Sequence, residues 1–324
     1  MPFPIDAVVS WVDGNDPAHQ KKMQPYLSDE NRRADDIAGK TRYASEGEIY
    51  YCVASILRFA PFVRKIFIIT DNQYPEGLKE FIEKNFPDTR TKVEIIDHRV
   101  VFRDFEPYLP TFNATTIETV LFRIPDLSEH FVYFNDDFFL LKEVQLEDWY
   151  KEDKSVARGW WNNLILGDFL SLIKPRKNGK RPLGFKDMMR ETAHFLGYKT
   201  RYFHIQHTPH PLKKSVFERF YSQHPEILES NIQYRVRDRR QIHPQTLYYL
   251  LGFQSDDCVM LPEKAFYMKP VKRGKHYVPG KIRYFEKHHP SMVCIGSIDM
   301  ATQDDKDEIF AWLRKVLNIE MNLK

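Results

Sequence analysis

In the stretch FVYFNDDFFL, Phe131 to Leu140, three residues, Asn135, Asp136 and Asp137, break a run that otherwise reads as a buried strand. Adjacent carboxylates beside such a segment cost free energy unless something compensates them. Their oxygens suit Mg2+, or alternatively Mn2+, ions that keep waters and bridge substrate phosphates at the strand ends of many nucleotide-sugar enzymes. An acid/base pair, a helix N-cap or a turn are the other readings. Bulky Phe138, Phe139, Leu140 and Leu141 follow at once and argue against a simple exposed turn. Successive strand residues point to opposite faces, so Asp136 and Asp137 meet one ion only if the chain has already turned.

A second group of chemical residues is HIQHTPHP, with His204, His207 and His210 at every third position. Pro209 and Pro211 exclude the regular helix that would align them, and no cysteine lies nearby, which disfavours structural zinc. Imidazoles in such a stiff loop suit proton transfer or phosphate contact. Glu118 has a structural reading as the partner of Thr115 in a capping box. Arg235, in QYRVRDRR, is either a surface arginine or a bidentate phosphate clamp. Composition alone leaves both open.

The elements that must position these groups alternate. IDAVVSWV (5–12), KIFIIT (65–70), VEII (93–96) and FVYF (131–134) are short β-rich runs. Helical stretches lie between them. Ser45 with Glu48 reads as a capping box opening a helix that stops before Pro61; 76–85 is a second helix, and Thr115 marks a third. The pattern predicts an α/β, doubly wound sheet. Each run ends in polar residues: Asp13-Gly14-Asn15-Asp16, Asp71-Asn72, Asp97-His98 and Asn135-Asp136-Asp137. In open α/β sheets the ligand crevice lies at the carboxyl ends of the strands. Four such tips converging on one crevice is the functional reading; ordinary turn chemistry is the bland one.

Beyond Trp149 the pattern changes. Residues 151–182 read as a basic loop region, with KPRKNGKRPLG at 174–184, and 184–250 as helices interrupted by the histidine segment. An amphipathic helix at 304–322 presents Ile309, Phe310, Leu313, Val316 and Leu317 for docking. The halves divide at 1–150 and 151–324, a ligand-binding α/β core and a mainly helical part packed on it that completes the same domain.

With 324 residues, 42 % of them apolar, the chain can bury a substantial core. A net charge of +3 carries no polybasic signal for nucleic acid. Cys52, Cys258 and Cys294 are too scattered for a disulfide framework or a metal knuckle, which fits a reducing compartment. The N-terminus lacks the basic region of a signal peptide and no stretch has transmembrane length, so a cytoplasmic protein is expected, with peripheral contact at the inner membrane face.

Together these stretches resemble the Stealth family, which includes bacterial capsular polysaccharide phosphotransferases and the catalytic part of the lysosomal-enzyme N-acetylglucosamine-1-phosphotransferase. The first block is similar to IDAVVSWVDGNDP (5–17). The second resembles RYASEGEIYYCVASILRFAPFVRKIFIITDNQ (42–73), continuing through IIDHRVVF, LPTFNATTIE and FRIPDLSEHFVYFNDDFFL. The third is HTPHP (207–211) with Arg235 and YYLLGF (248–253). A fourth, MVCIGSIDMA (292–301), departs from the pattern. Ile295-Gly296-Ser297 stand where many relatives carry an Asn-Asp pair, and the nearest acid is Asp299.

The resemblance implies a Rossmann-like, GT-A-like fold. It also implies transfer of a hexose 1-phosphate, N-acetylhexosamine 1-phosphate foremost, from a UDP-sugar to a hydroxyl of a polysaccharide or lipid-linked oligosaccharide. UMP would be released, in capsular or cell-surface polysaccharide synthesis alongside other capsule-synthesis proteins. Glu118, Asp137, His210 and Arg235 match its catalytic positions, with Asp136 beside them; Asp136 and Asp137 are the implied metal ligands. Trp11, Val12, Asp13, Gly14, Arg42, Asn72, Asn113 and His207 fall around the nucleotide sugar. His210 is the first choice of base and an aspartate the second. Two other functions use the same residues: a metal-dependent glycosyltransferase releasing UDP, and a non-catalytic carbohydrate-binding protein.

Overall fold

The computed structural model describes residues 3–27, 44–173, 184–271 and 273–321. Twelve strands are found among them. In chain order they are β1 (Ile5–Ser10), β2 (Lys65–Thr70), β3 (Lys92–Asp97), β4 (His130–Asn135), β5 (Phe138–Leu140) and β6 (Tyr150–Lys151). They continue with β7 (Lys154–Asn163), β8 (Arg201–Ile205), β9 (His210–Lys213), β10 (Cys258–Leu261), β11 (Phe266–Met268) and β12 (Met292–Ile295). The main sheet runs β3-β2-β1-β4-β9, with the first four strands parallel and β9 antiparallel at the edge. Helices Glu48–Phe59, Leu78–Asn85 and Ala114–Thr119 lie between consecutive parallel strands. Strand order therefore reverses between β1 and β4, where a crevice must open.

Strand alternation builds both cores. Ile5, Ala7, Val9, Ile66, Ile68, Val132 and Phe134 face one way, onto helices Glu48–Phe59 and Gln303–Leu317. Val8, Phe67, Ile69, Phe131 and Tyr133 face the other, against Ile117, Leu247 and Tyr248. With both faces covered, these strands carry apolar residues on each side, as buried parallel sheets do. The C-terminal amphipathic helix docks through Ile309, Leu313 and Leu317, as its pattern predicts.

Three local expectations change. Residues 151–173 are not loop: β6 and β7 form an antiparallel hairpin, and helix Leu164–Ile173 follows. Glycine at 159 is required there, because a Cβ would stand 2.2 Å from the His204 carbonyl oxygen of paired β8. Neither capping box forms. Gly47, at φ 93°, precedes helix Glu48–Phe59, and the Glu48 carboxylate accepts the Glu46 amide at 2.6 Å. Asn113 occupies the N-cap position of helix Ala114–Thr119, and Glu118 accepts a hydrogen bond from Tyr133 Oη at 2.9 Å.

Between β4 and β5 the chain makes a two-residue turn at Asp136-Asp137, and β5 leaves to pair with β12. The condition for both acids to serve one site, a strand that has already turned, is met. No helix among the described residues is long and apolar enough to cross a membrane.

Candidate active site

A cavity of about 480 Å3 opens at the carboxyl ends of β1 and β4. Trp11 and Val12 reach it from β1, and Asn135 to Phe138 from the β4 turn. Asn113 and Glu118 come from the helix before β4, and His207 and His210 from the approach to β9 and its start. The acid turn and the histidine segment, some seventy residues apart in the chain, thus share one wall. Register explains this, since His210 on β9 pairs with Tyr133 on β4 two residues before Asn135.

The acids stand in a strained electrostatic setting. Burial, then the neighbouring Glu48 and Asp137, push Asp136 well above the ordinary carboxylate range. Burial raises Asp137 to about 6 and Glu48 to about 7, with Asp137 adding repulsion to Glu48. Glu118 is raised by burial as well, and so is Asp299 at the far wall. Asp137 Oδ2 accepts the Cys294 thiol at 3.5 Å, whereas its Oδ1 is buried with no hydrogen-bond partner. Tyr133 has one hydroxyl proton for two acceptors, Glu118 Oε1 at 2.9 Å and Asn135 Oδ1 at 2.7 Å. A protonated Glu118, or an Asn135 presenting its NH2, resolves that conflict.

The histidines do not neutralise these acids. Burial lowers His207, takes His210 to about 3 and holds His243 far below its ordinary value. All three are neutral imidazoles near pH 7. His210 places Nδ1 3.4 Å from Tyr249 Oη, and the His207 ring is stacked by Phe185 and Tyr267 at 4.8 and 5.4 Å. Positive charge in the cavity wall comes from Arg237 and Lys269.

Other sequence-selected residues lie elsewhere. Asp13 and Gly14 are outside the wall: the Asp13 carboxylate accepts the Asn15 amide at 2.9 Å, and the Gly14 carbonyl accepts Gln20. They shape the loop that presents Trp11 and Val12. Asn72 is likewise off the wall, in a turn with φ 55°. Arg42 lies outside the described residues. Arg235 does not line the cavity; its guanidinium donates to the carbonyls of Pro110 (3.1 Å) and Pro107 (2.6 Å). Its place at the wall is taken by Arg237. Arg235→Ala is accordingly expected to cost about 1 kcal/mol or more of stability by releasing two carbonyls. Arg237→Ala should instead lower kcat/KM at least tenfold; thermal melts of the first variant and initial rates of both decide.

Residues missed in the sequence include Glu48, Arg237, His243, Tyr267 and Lys269. Glu48 sat in a capping-box pattern, and His243 precedes a proline and caps helix Pro244–Ser255 through Thr246. The divergent fourth block also reaches the wall. Cys294, Gly296, Ser297 and Asp299 line it, and a Cβ at position 296 would come 3.1 Å from Tyr267 Oη and 3.4 Å from Asp137 Oδ2.

The model of Stealth protein CR2, conserved region 2, matches residues 42–158, and that of Stealth protein CR1, conserved region 1, matches 3–30. A capsular polysaccharide phosphotransferase of Haemophilus influenzae, fcs1, is 32 % identical over 82 % of this chain and 70 % of its own length. One from Neisseria meningitidis serogroup B is 29 % identical over 95 % and 80 % respectively. The chain spans about half the length of other relatives bearing that name. Among solved structures, the bifunctional glycosyltransferase WbbM superposes with a TM-score of 0.50 at 10 % identity, over 98 % of this chain and 52 % of that one, a likeness of fold. Carrying both conserved regions and matching the Haemophilus protein over most of each chain, the protein belongs to the Stealth family of phosphotransferases.

Proposed function

We propose that this chain transfers a hexose 1-phosphate, N-acetylhexosamine 1-phosphate foremost, from a UDP-sugar to a hydroxyl of an acceptor glycan in capsule or cell-surface polysaccharide synthesis. One observation carries the reading: a desolvated carboxylate turn and a strand-borne imidazole face one cavity at the switch point of the parallel sheet. In this reading residues 1–150 carry the donor and 151–324 complete the same catalytic unit, in the cytoplasm, beside other capsule-synthesis proteins.

The acceptor oxygen forms a bond to the β-phosphorus, the bond from that phosphorus to the bridging oxygen breaks, and UMP leaves with the electron pair. Such chemistry is chiefly positioning and charge neutralisation. Arg237 holds the phosphoryl oxygens, and Arg235 braces the 107–110 segment that leads into Asn113. His210 takes the hydroxyl proton. Burial sets its value at about 3, and two phosphate groups beside an imidazole raise its basicity. Trp11, Val12 and His207 receive the nucleotide sugar, His207 by its clamped orientation between two aromatic rings.

Asp136 and Asp137 fit a divalent cation, Mg2+ before Mn2+. Crowded, desolvated carboxyls and the orphaned Asp137 Oδ1 are what such an ion would relieve. No group of three or more His, Cys, Asp or Glu among the described residues could enclose an ion. Diphosphate oxygens and water would complete its shell, and when bound it would neutralise the leaving phosphate. The experiment is mass spectrometry of an acceptor oligosaccharide incubated with a panel of UDP-sugars. A gain of one hexose phosphate, or one N-acetylhexosamine phosphate, is expected. A gain of sugar without phosphorus would return the chain to glycosyl transfer.

A further inference from the structure

Helix Leu164–Ile173, LILGDFLSLI, is inside out. Surface helices of globular proteins turn apolar residues to the core and polar ones to water. Here Asp168 faces the protein, accepting from Arg190 Nε at 3.1 Å and paired with His194 Nε2 at 2.8 Å. Ser171 donates to Asp187 Oδ1 at 3.3 Å, and Gly167 packs against the Arg190 side chain. The opposite face carries Ile165, Leu166, Phe169, Leu170, Leu172 and Ile173, each between 47 % and 63 % exposed. Phe195 on the neighbouring helix Phe185–Phe195 adds a seventh exposed apolar side chain. A contiguous apolar face of this size marks a surface that something covers.

Charge identifies the occupant. No acid occurs between Asp168 and Asp187, and the sequence directly after the helix carries Lys174, Arg176, Lys177, Lys180 and Arg181. On the other side of the helix, exposed Lys199 and Arg201 lead into β8, where Arg201 pairs with Asn163 at the helix start. An apolar face with exposed Lys199 and Arg201 near its start, on a helix whose sequence continues into a run of cations without acids, matches an anionic bilayer, whose acyl boundary takes the apolar side chains and whose phosphates take the cations. We propose that this helix seats the protein on an anionic lipid surface. Its neighbour, Phe185–Phe195, begins at a residue of the cavity wall, so the seated protein holds its cavity one helix away from the bilayer. The inference stands apart from the reaction assigned above, because it is read by lipid binding alone.

The test is co-sedimentation of the full chain with vesicles of phosphatidylcholine alone and of phosphatidylcholine with phosphatidylglycerol. The parent should pellet with the anionic vesicles. Phe169→Gln/Leu172→Gln should lower the partition coefficient at least about tenfold, since each change removes one large apolar side chain from the acyl boundary. Its melting temperature should be no lower than the parent's, which excludes misfolding as the cause. Failure of the parent to bind anionic vesicles overturns the proposal. So does binding that the double variant retains, or a dimer in sedimentation velocity that the variant dissolves while vesicle binding is absent; the last outcome makes a second copy the occupant.

Discussion

Asp137→Asn is expected to slow transfer about a thousandfold or more while making the cation-free protein harder to melt at pH 8. The two effects share a cause. Burial lifts the Asp137 carboxyl from 3.8 to about 6, so the folded state holds this proton more tightly than the unfolded one. Its contribution to stability is whole below about pH 4 and is lost as the pH climbs through about 6, with a ceiling of about 3 kcal/mol. Glu48, lifted from 4.5 to about 7, acts with the same sign. At pH 8 the parent therefore carries an uncompensated charge that asparagine lacks. Melting in chelator at pH 5 and pH 8 reads this as a difference: the buried histidines, lowered by burial, add stability over that interval to both proteins alike, and the variant should gain on the parent between the two pH values. Added Mg2+ or Mn2+ should raise the melting temperature of the parent at pH 8 and move the variant less, because the variant keeps Asp136 but lacks the second carboxylate. A variant that gains nothing on the parent from pH 5 to pH 8 in chelator would contradict this electrostatic account.

His210→Asn is expected to lower kcat by about a hundredfold to ten-thousandfold with little change in KM, the range seen when a positioned proton acceptor is removed. The site's geometry makes a more particular demand. With its free-state value at about 3, His210 is already neutral across the working range. The pH profile of kcat/KM, which reports the free enzyme, should therefore lack a limb near 6.5 from this residue. A phosphohistidine route through the same ring would leave covalent phosphate on the parent after incubation with donor alone. Activity preserved in the asparagine variant would exclude both histidine roles.

The parallel sheet was legible because IDAVVSWV, KIFIIT, VEII and FVYF are short β-rich runs whose ends fall within a residue or two of the observed strands. Their order was not, since nothing local says that β1 lies between β2 and β4. The edge position of β9 is consistent with Pro211, which lacks the N–H an inner strand needs, but the sequence alone also allowed a loop. KSVARGWWNN concealed a ten-residue strand behind cations and a glycine that close packing on β8 demands. Glu48 and Glu118 were both masked by Ser/Thr-x-x-Glu spacing that mimics a helix cap. Which arginine of QYRVRDRR enters the cavity depends on loop conformation, which composition does not encode. LILGDFLSLI lay unread within a basic region because its apolar face points outward.

Released nucleotide tests the central claim most directly, that the acid turn, the imidazole of β9 and Arg237 act together on the phosphorus nearest the sugar. Chromatography of a reaction containing the intact chain, acceptor and an accepted UDP-sugar should show UMP accumulating in step with product. UDP as the sole nucleotide would mean that the bond at the anomeric carbon breaks instead.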